Sequence, residues 1–204
     1  MTRIKICGNT SAEDVELAAE LGVEMLGFIF TTSKRRISVE QGRALMESLP
    51  PAIERVGVFV DEEPAEIARV VEACGLTAVQ VYRPITAEDR AIGVQLLPAV
   101  RVRPGEELGR LRFENGDHPL LDSWVADSIG GTGRRWNWPD AISLARRYQI
   151  AVSGGLLAEN VAEAIEQVHP WAVDVCSGVE QQPGHKDPSK LRAFVGSVRA
   201  ADGQ

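Results

Sequence analysis

Three residues with chemistry to offer stand at or near the ends of apolar runs. Cys7 follows Arg3-Ile4-Lys5-Ile6, Asp122 follows Pro119-Leu120-Leu121, and Asp174 lies within Ala172-Val173-Asp174-Val175-Cys176. A carboxylate in that setting has to be paired, solvated in an opening or functional, because burying it alone is costly. Asp122 reads as functional on that ground, and Asp174, in the same setting, as functional or as an orienting or hydrogen-bonding group. A cysteine in a strand packs as a small hydrophobe in most proteins. Its thiol, with an ordinary pKa of about 8.5, needs only a modest local shift to serve as a base near neutrality. Residue type alone leaves both readings of Cys7 open. Cys74 at a helix end reads as inert and Cys176 as packing.

Three glycine clusters follow later apolar runs: Gly130-Gly131-Thr132-Gly133, Ser153-Gly154-Gly155 and Ser177-Gly178. Glycine lets a backbone approach a ligand closely and adopt positive φ. One such loop is explained equally well by a tight turn; three in succession predict a phosphate cradle built from Gly131, Thr132, Gly133, Ser153, Gly154, Gly155, Ser177 and Gly178. Arg35 and Arg36 follow an apolar run directly, where they are either solvated or able to clamp a carboxylate in bidentate fashion. His118 and His169 fall away from these residues. His185, in Pro183-Gly184-His185-Lys186-Asp187, shares their side, with a loop role ahead of catalysis. No His, Asp, Glu or Cys cluster has metal-ligand spacing, so no metal is expected.

The elements that must position these groups alternate along the whole chain. Strands are predicted at Arg3–Cys7, Met25–Phe30, Arg55–Val60, Ala78–Tyr82, Leu96–Val102, Pro119–Asp122, Ile150–Ser153 and Ala172–Cys176. Several are short and apolar on both faces, as in a buried parallel sheet. Helical patterns lie between them. Ala12–Leu21 follows Ser11, Val39–Leu49 runs from Ser38 to Pro50-Pro51, and Ala65–Cys74 lies between Pro64 and Gly75. A short pattern falls within Thr86–Ile92, and Ala158–Val168 and Pro188–Arg199 complete the chain. Eight strands with about eight helices in 204 residues predict one closed (β/α)₈ TIM barrel spanning residues 1–204, with its phosphate-binding loops at the C-terminal face. The first strand ends Cys7-Gly8-Asn9-Thr10, which lacks the glycine fingerprint of a dinucleotide fold.

Composition narrows the partners. With 44% hydrophobic and 25% charged residues the chain is an ordinary globular one. A net charge of -7 disfavours nucleic acid, which requires clustered cations, while a small phosphorylated substrate needs only convergent amides and one arginine. No stretch approaches a membrane span, the N-terminus lacks a signal-peptide pattern, and three scattered cysteines fit a reducing cytoplasm. The assembly expected is a monomer or a homodimer.

Taken in order, several motifs resemble the phosphoribosylanthranilate isomerase family of tryptophan biosynthesis. They are Lys5-Ile6-Cys7-Gly8, Gly27-Phe28-Ile29-Phe30, Ser33-Lys34-Arg35, Val56-Gly57-Val58-Phe59-Val60, Leu120-Leu121-Asp122 and Gly130-Gly131-Thr132-Gly133 with Trp138. Ser153-Gly154-Gly155-Leu156 with Asn160, Val173-Asp174-Val175 with Ser177-Gly178-Val179-Glu180, and Pro183-Gly184 with Lys186-Asp187 follow. The resemblance implies a cofactor-free Amadori rearrangement of N-(5-phosphoribosyl)anthranilate. Cys7 would be the general base at C2 and Asp122 the general acid at the ring oxygen. Arg35 would hold the anthranilate carboxylate, Asp174 would bind near the sugar, and the glycine loops would grip the phosphate. One departure stands out. After the fourth strand the family reads Val-Gln-Leu-His-Gly, and this chain reads Val79-Gln80-Val81-Tyr82-Arg83. Tyr82 and Arg83 would then face the aglycone, either within the same activity or in a barrel retuned for a related aminated sugar phosphate. A non-catalytic phosphate-binding barrel would need neither Cys7 nor Asp122.

Overall fold

The computed structural model describes residues 1–123 and 136–203. The expected cradle residues Gly131, Thr132 and Gly133 lie outside the described residues. Eight strands close into a parallel barrel in chain order: β1 Arg3–Ile6, β2 Met25–Ile29, β3 Glu54–Phe59, β4 Ala78–Val81, β5 Gln95–Val102, β6 Leu120–Ser123, β7 Ala151–Val152 and β8 Ala172–Val175. β8 pairs with β1, matching Lys5 with Asp174 and Ile6 with Val175.

Local chemistry accounts for the helices. α1 (Ala12–Glu20) starts at Ser11, whose side chain accepts from the Asp14 amide. α2 (Val39–Glu47) carries a reciprocal capping box between Ser38 and Gln41. α3 (Pro64–Cys74) opens on proline and stops at Gly75, in the left-handed region at φ 62°. The short fourth helix expected from sequence is α4 (Ala87–Ala91), five residues with a Thr86–Asp89 capping box. α5 (Ile142–Ala145), α6 (Val161–Val168) and α7 (Pro188–Asp202) follow. Asp187 caps α7 by accepting from the Ser189 and Lys190 amides.

Two features differ from expectation. The segment between β5 and β6 holds a 3₁₀ turn, Leu108–Arg110, in place of an α-helix. Pro104, Gly105 and Gly109 there deny it an uninterrupted helical run. The loop around His185 is a small antiparallel hairpin, β9 (Glu180–Gln182) with β10 (His185–Lys186). His118 is remote from the strand C-termini, as expected, with its ring stacked on Trp171 at 4.1 Å.

The core has two layers. Met25, Val56, Ala78, Leu97, Leu120, Ala151 and Ala172 fill the barrel interior near its N-terminal end. A larger apolar shell, including Phe28, Phe59, Trp138 and Phe194, packs the helices on the outside. The interior plug lies one pleat below Lys5, Gln80, Asp122, Ser153 and Asp174. Inward residues recur every second position, so the apolar layer forms the floor on which the polar layer sits. No helix of the described residues is long and apolar enough to cross a membrane.

Candidate active site

The polar layer opens into a cavity at the strand C-termini. Cys7, Arg35, Tyr82, Asp122, Ser153, Asp174 and Cys176 line it, with Ile29, Val58 and Val60 as an apolar wall. A second cavity shares Asp122, Ser153, Asp174 and Cys176 with the first and continues to Gly154, Gly155, Ser177 and Gly178. The two form one groove with an apolar, arginine-bearing end and a glycine-lined end.

The two expected proton-transfer groups meet in this groove from strands three steps apart around the barrel. The Asp122 carboxyl is 3% exposed, and burial, followed by the nearby Asp174, pushes its pKa up to about 6. Hydrogen bonds hold that rise in check. Tyr82 donates its hydroxyl to Asp122 Oδ2 at 3.0 Å, and the Ser123 amide donates to Oδ1 at 2.8 Å. Cys7 moves the other way. A hydrogen bond from the Cys176 thiol lowers its pKa to about 7 against the cost of burial, with Lys5 and Lys186 adding positive charge. A carboxyl whose pKa is raised and a thiol whose pKa is lowered are thus held in one cavity.

Beneath them lies a buried ion pair. Lys5 Nζ donates to Asp174 Oδ1 at 2.8 Å, with the lysine side chain wholly buried. Ser153 Oγ donates to Asp174 Oδ2 at 2.8 Å. Asp174 therefore stands in the groove as expected but spends both oxygens on protein donors. Ser153, expected at the phosphate, lies between the two cavities with its hydroxyl directed to Asp174.

Arg35 lines the apolar end. Its Nε and Nη2 donate to Glu180 Oε1 and Oε2 at 2.8 and 2.7 Å. Its Nη1 is left without an acceptor among the described residues, free for an incoming anion. Glu180 is fixed in turn by Lys186 Nζ at 3.1 Å and by the Gly184 amide at 3.2 Å. Lys186 Nζ also donates to the Cys7 carbonyl. Tyr82 lines the groove, accepting from Gln80 Nε2 at 3.2 Å, and burial raises its pKa well above the ordinary phenol value, so it remains protonated. Arg83 turns elsewhere. It donates to both Asp89 oxygens, at 2.6 and 2.8 Å, and to the Glu62 carbonyl.

At the glycine-lined end, Gly154 has φ +84°, and a Cβ there would meet the Ser123 amide nitrogen at 2.6 Å. A Cβ on Gly178 would lie 2.1 Å from the Leu156 carbonyl oxygen. The loops after β7 and β8 thus approach as closely as glycine allows. The amides of Gly154, Gly155 and Gly178 have no acceptor among the described residues. Asn160 braces this cradle, donating to the Gly155 carbonyl at 2.9 Å and accepting from the Leu157 amide at 2.8 Å.

Residue-type reasoning overlooked Lys5, Glu180 and Lys186. One signal for Lys5 was available: it precedes Cys7 by two residues in a strand, which puts both on the same face. Among the described residues no group of three or more His, Cys, Asp or Glu is placed to hold a metal ion.

Comparison with known proteins gives a consistent picture. A family model described as N-(5'phosphoribosyl)anthranilate (PRA) isomerase matches residues 4–197. The chain is 41% identical over 198 residues to the N-(5'-phosphoribosyl)anthranilate isomerase of Pelobacter propionicus, covering 96% of this chain and 94% of that one. It is similar to a dimeric phosphoribosylanthranilate isomerase from Thermotoga maritima, solved as monomers, at 36% identity and TM-score 0.84, covering 98% and 100% of the two chains. It also matches a phosphoribosyl anthranilate isomerase crystallised with reduced 1-(o-carboxyphenylamino)-1-deoxyribulose 5-phosphate, at 36% identity and TM-score 0.85, with the same coverage.

Proposed function

We propose a residue-level mechanism from the premise that the chain belongs to the N-(5'-phosphoribosyl)anthranilate isomerase family. It is an aldose–ketose isomerase of tryptophan biosynthesis, converting N-(5-phosphoribosyl)anthranilate to 1-(2-carboxyphenylamino)-1-deoxyribulose 5-phosphate. The observation that carries the mechanism is the juxtaposition of Cys7 and Asp122 in one groove, with a raised carboxyl pKa facing a lowered thiol pKa.

Asp122 gives its proton to the furanose ring oxygen, the C1–O bond breaks, and a protonated Schiff base remains at C1. Cys7, as thiolate, takes the proton from C2. The resulting enolamine tautomerises to the aminoketose, so no atom is gained or lost overall. Acid and base act on neighbouring atoms of a substrate fixed at both ends, which supplies orientation as well as proton transfer.

The groove suits that substrate end to end. The unpaired amides of Gly154, Gly155 and Gly178 suit the phosphate, together with Ser177; Gly131, Thr132 and Gly133 belong to the same proposal. The apolar wall of Ile29, Val58 and Val60 suits a flat aromatic ring, and the free Nη1 of Arg35 suits its carboxylate. Tyr82 supports the same aglycone, because its hydroxyl is committed to Asp122 and Gln80. Arg83, tied to Asp89, leaves the Arg35 end unchanged. The residues lining the groove come from one chain, so a monomer or a homodimer would carry complete sites.

The test is conversion of N-(5-phosphoribosyl)anthranilate by purified protein. Cys7→Ala and Asp122→Asn are each expected to lose turnover by about a hundredfold or more while retaining a native circular dichroism spectrum. Near-normal turnover in either folded variant would remove that residue from its assigned step.

A further inference from the structure

Lys5 is a costly residue for the centre of a barrel. Its side chain is completely buried, and a buried ion pair is commonly no more stabilising than apolar side chains of the same size. Its strand partner in register is Asp174, which takes one hydrogen bond from it at 2.8 Å and another from Ser153 at 2.8 Å. The pair is therefore fixed from both sides. Above it, the Lys5 ammonium and the Cys7 sulfur crowd the same point: a Cβ on Gly27 would stand 3.0 Å from Nζ and 2.8 Å from Sγ. Glycine at position 27 leaves the room in which the two groups approach, and each acts electrostatically on the other.

We propose that Lys5 is a positioning residue for the isomerisation: its ammonium, anchored by Asp174, holds the Cys7 side chain as a thiolate aimed into the groove. This rests on the reading of Cys7 as the base. Lys5 keeps its own proton. Burial alone would lower its pKa, but the charge of Asp174 and then that of Cys7 outweigh burial and raise it, so Lys5 does not compete for the substrate proton. When Cys7 takes the proton from C2, the thiolate charge disappears and the Lys5–Asp174 pair remains neutral as a unit.

Other charged groups face Cys7 as well. Cys176, just beyond β8, acts on its thiol, and Lys186 from β10 binds its carbonyl. Arg35 reaches over Gly8 but is neutralised by Glu180. Asp122 and Tyr82 line the far side of the cavity. Among these, Lys5 combines full positive charge, complete burial and an anchor on Asp174 with close approach to the sulfur.

The experiment follows the rate of Cys7 alkylation by iodoacetamide against pH, read on the Cys7 peptide by mass spectrometry so that Cys74 and Cys176 do not contribute. In Lys5→Met the midpoint is expected to rise by about one pH unit or more, a tenfold loss of thiolate below the midpoint. The alkaline limb of kcat, set by the higher of the two pKa values, should move up with it and the maximum should fall, while KM changes little. The double variant Lys5→Met, Asp174→Asn removes the pair without stranding a charge, and its midpoint should rise by less. An unchanged or lowered midpoint in either folded variant overturns the proposal. Retained turnover in Cys7→Ala would instead remove the base reading, so the two failures are distinguishable.

Discussion

Asp122 is held between opposing influences, and its balance depends on Tyr82. Burial and Asp174 favour the protonated carboxyl, whereas the hydroxyl of Tyr82 favours the ion. A hydrogen bond to a charged group contributes about 1.5–3 kcal/mol. Tyr82→Phe should therefore raise the Asp122 pKa, raise the maximum of kcat/KM and carry its acid limb, set by the lower of the two pKa values, upward toward that of Cys7. A pH profile of the variant checks this, and a limb that stays in place would show that the bond contributes nothing to the ionisation. The same residue shows what the sequence could and could not reveal. Asp122 and Arg35 were legible as candidates because each ends or closely follows an apolar run, where a charged group needs a reason, whereas Cys7 gained its role from the family resemblance. Lys5 was not legible, because a lysine alternating with isoleucines near a terminus reads as a solvated edge. Only closure of β8 onto β1 brings Asp174 beside it.

At the scale of elements, the cradle depends on how closely the loops after β7 and β8 approach. Gly178→Ala would place a methyl group 2.1 Å from the Leu156 carbonyl oxygen, so backbone has to move. We expect KM for the phosphorylated substrate to rise about tenfold or more, with a smaller change in kcat. We also expect a stability loss of about 1–3 kcal/mol. Steady-state kinetics and chemical denaturation measure the two effects; an unchanged KM would separate this turn from substrate binding. The eight strands were readable as short apolar runs between helices, and Ser11 and Ser38 marked helix starts correctly. The β9–β10 hairpin was not readable. Its two short strands carry no apolar alternation, and their order comes from Glu180, which gathers Arg35, Lys186 and the Gly184 amide around one carboxylate.

For the molecule as a whole, the acid that serves catalysis works against stability. The folded pKa of Asp122, about 6, exceeds its ordinary value of 3.8. A raised carboxyl pKa means that its contribution to folding is fully present below pH 3.8 and is lost as pH rises through 6. Above that, the buried carboxylate costs about 3 kcal/mol. Asp122→Asn removes this cost, so its melting temperature should exceed that of the parent by several degrees at pH 8 and by much less at pH 4. Thermal denaturation at the two values decides the matter, and an equal difference at both would mean that Asp122 ionises as freely folded as unfolded. The barrel supporting this cost is fastened at its seam. Thr2 donates to Asp202 through its amide at 2.7 Å and its hydroxyl at 2.8 Å, and Arg199 donates to Glu24 at 2.8 Å, so α7 pins the start of β1.

The most direct test of the central claim is the pH dependence of kcat/KM for N-(5-phosphoribosyl)anthranilate, which reports the free enzyme's acid and base. A thiol near 7 and a carboxyl near 6 predict a bell centred at about pH 6.5, falling on the acid side as Cys7 gains a proton and on the alkaline side as Asp122 loses one. A profile that stays flat from pH 5 to about 8.5, or that keeps both limbs unshifted in Tyr82→Phe and Lys5→Met alike, would contradict the Cys7–Asp122 pair.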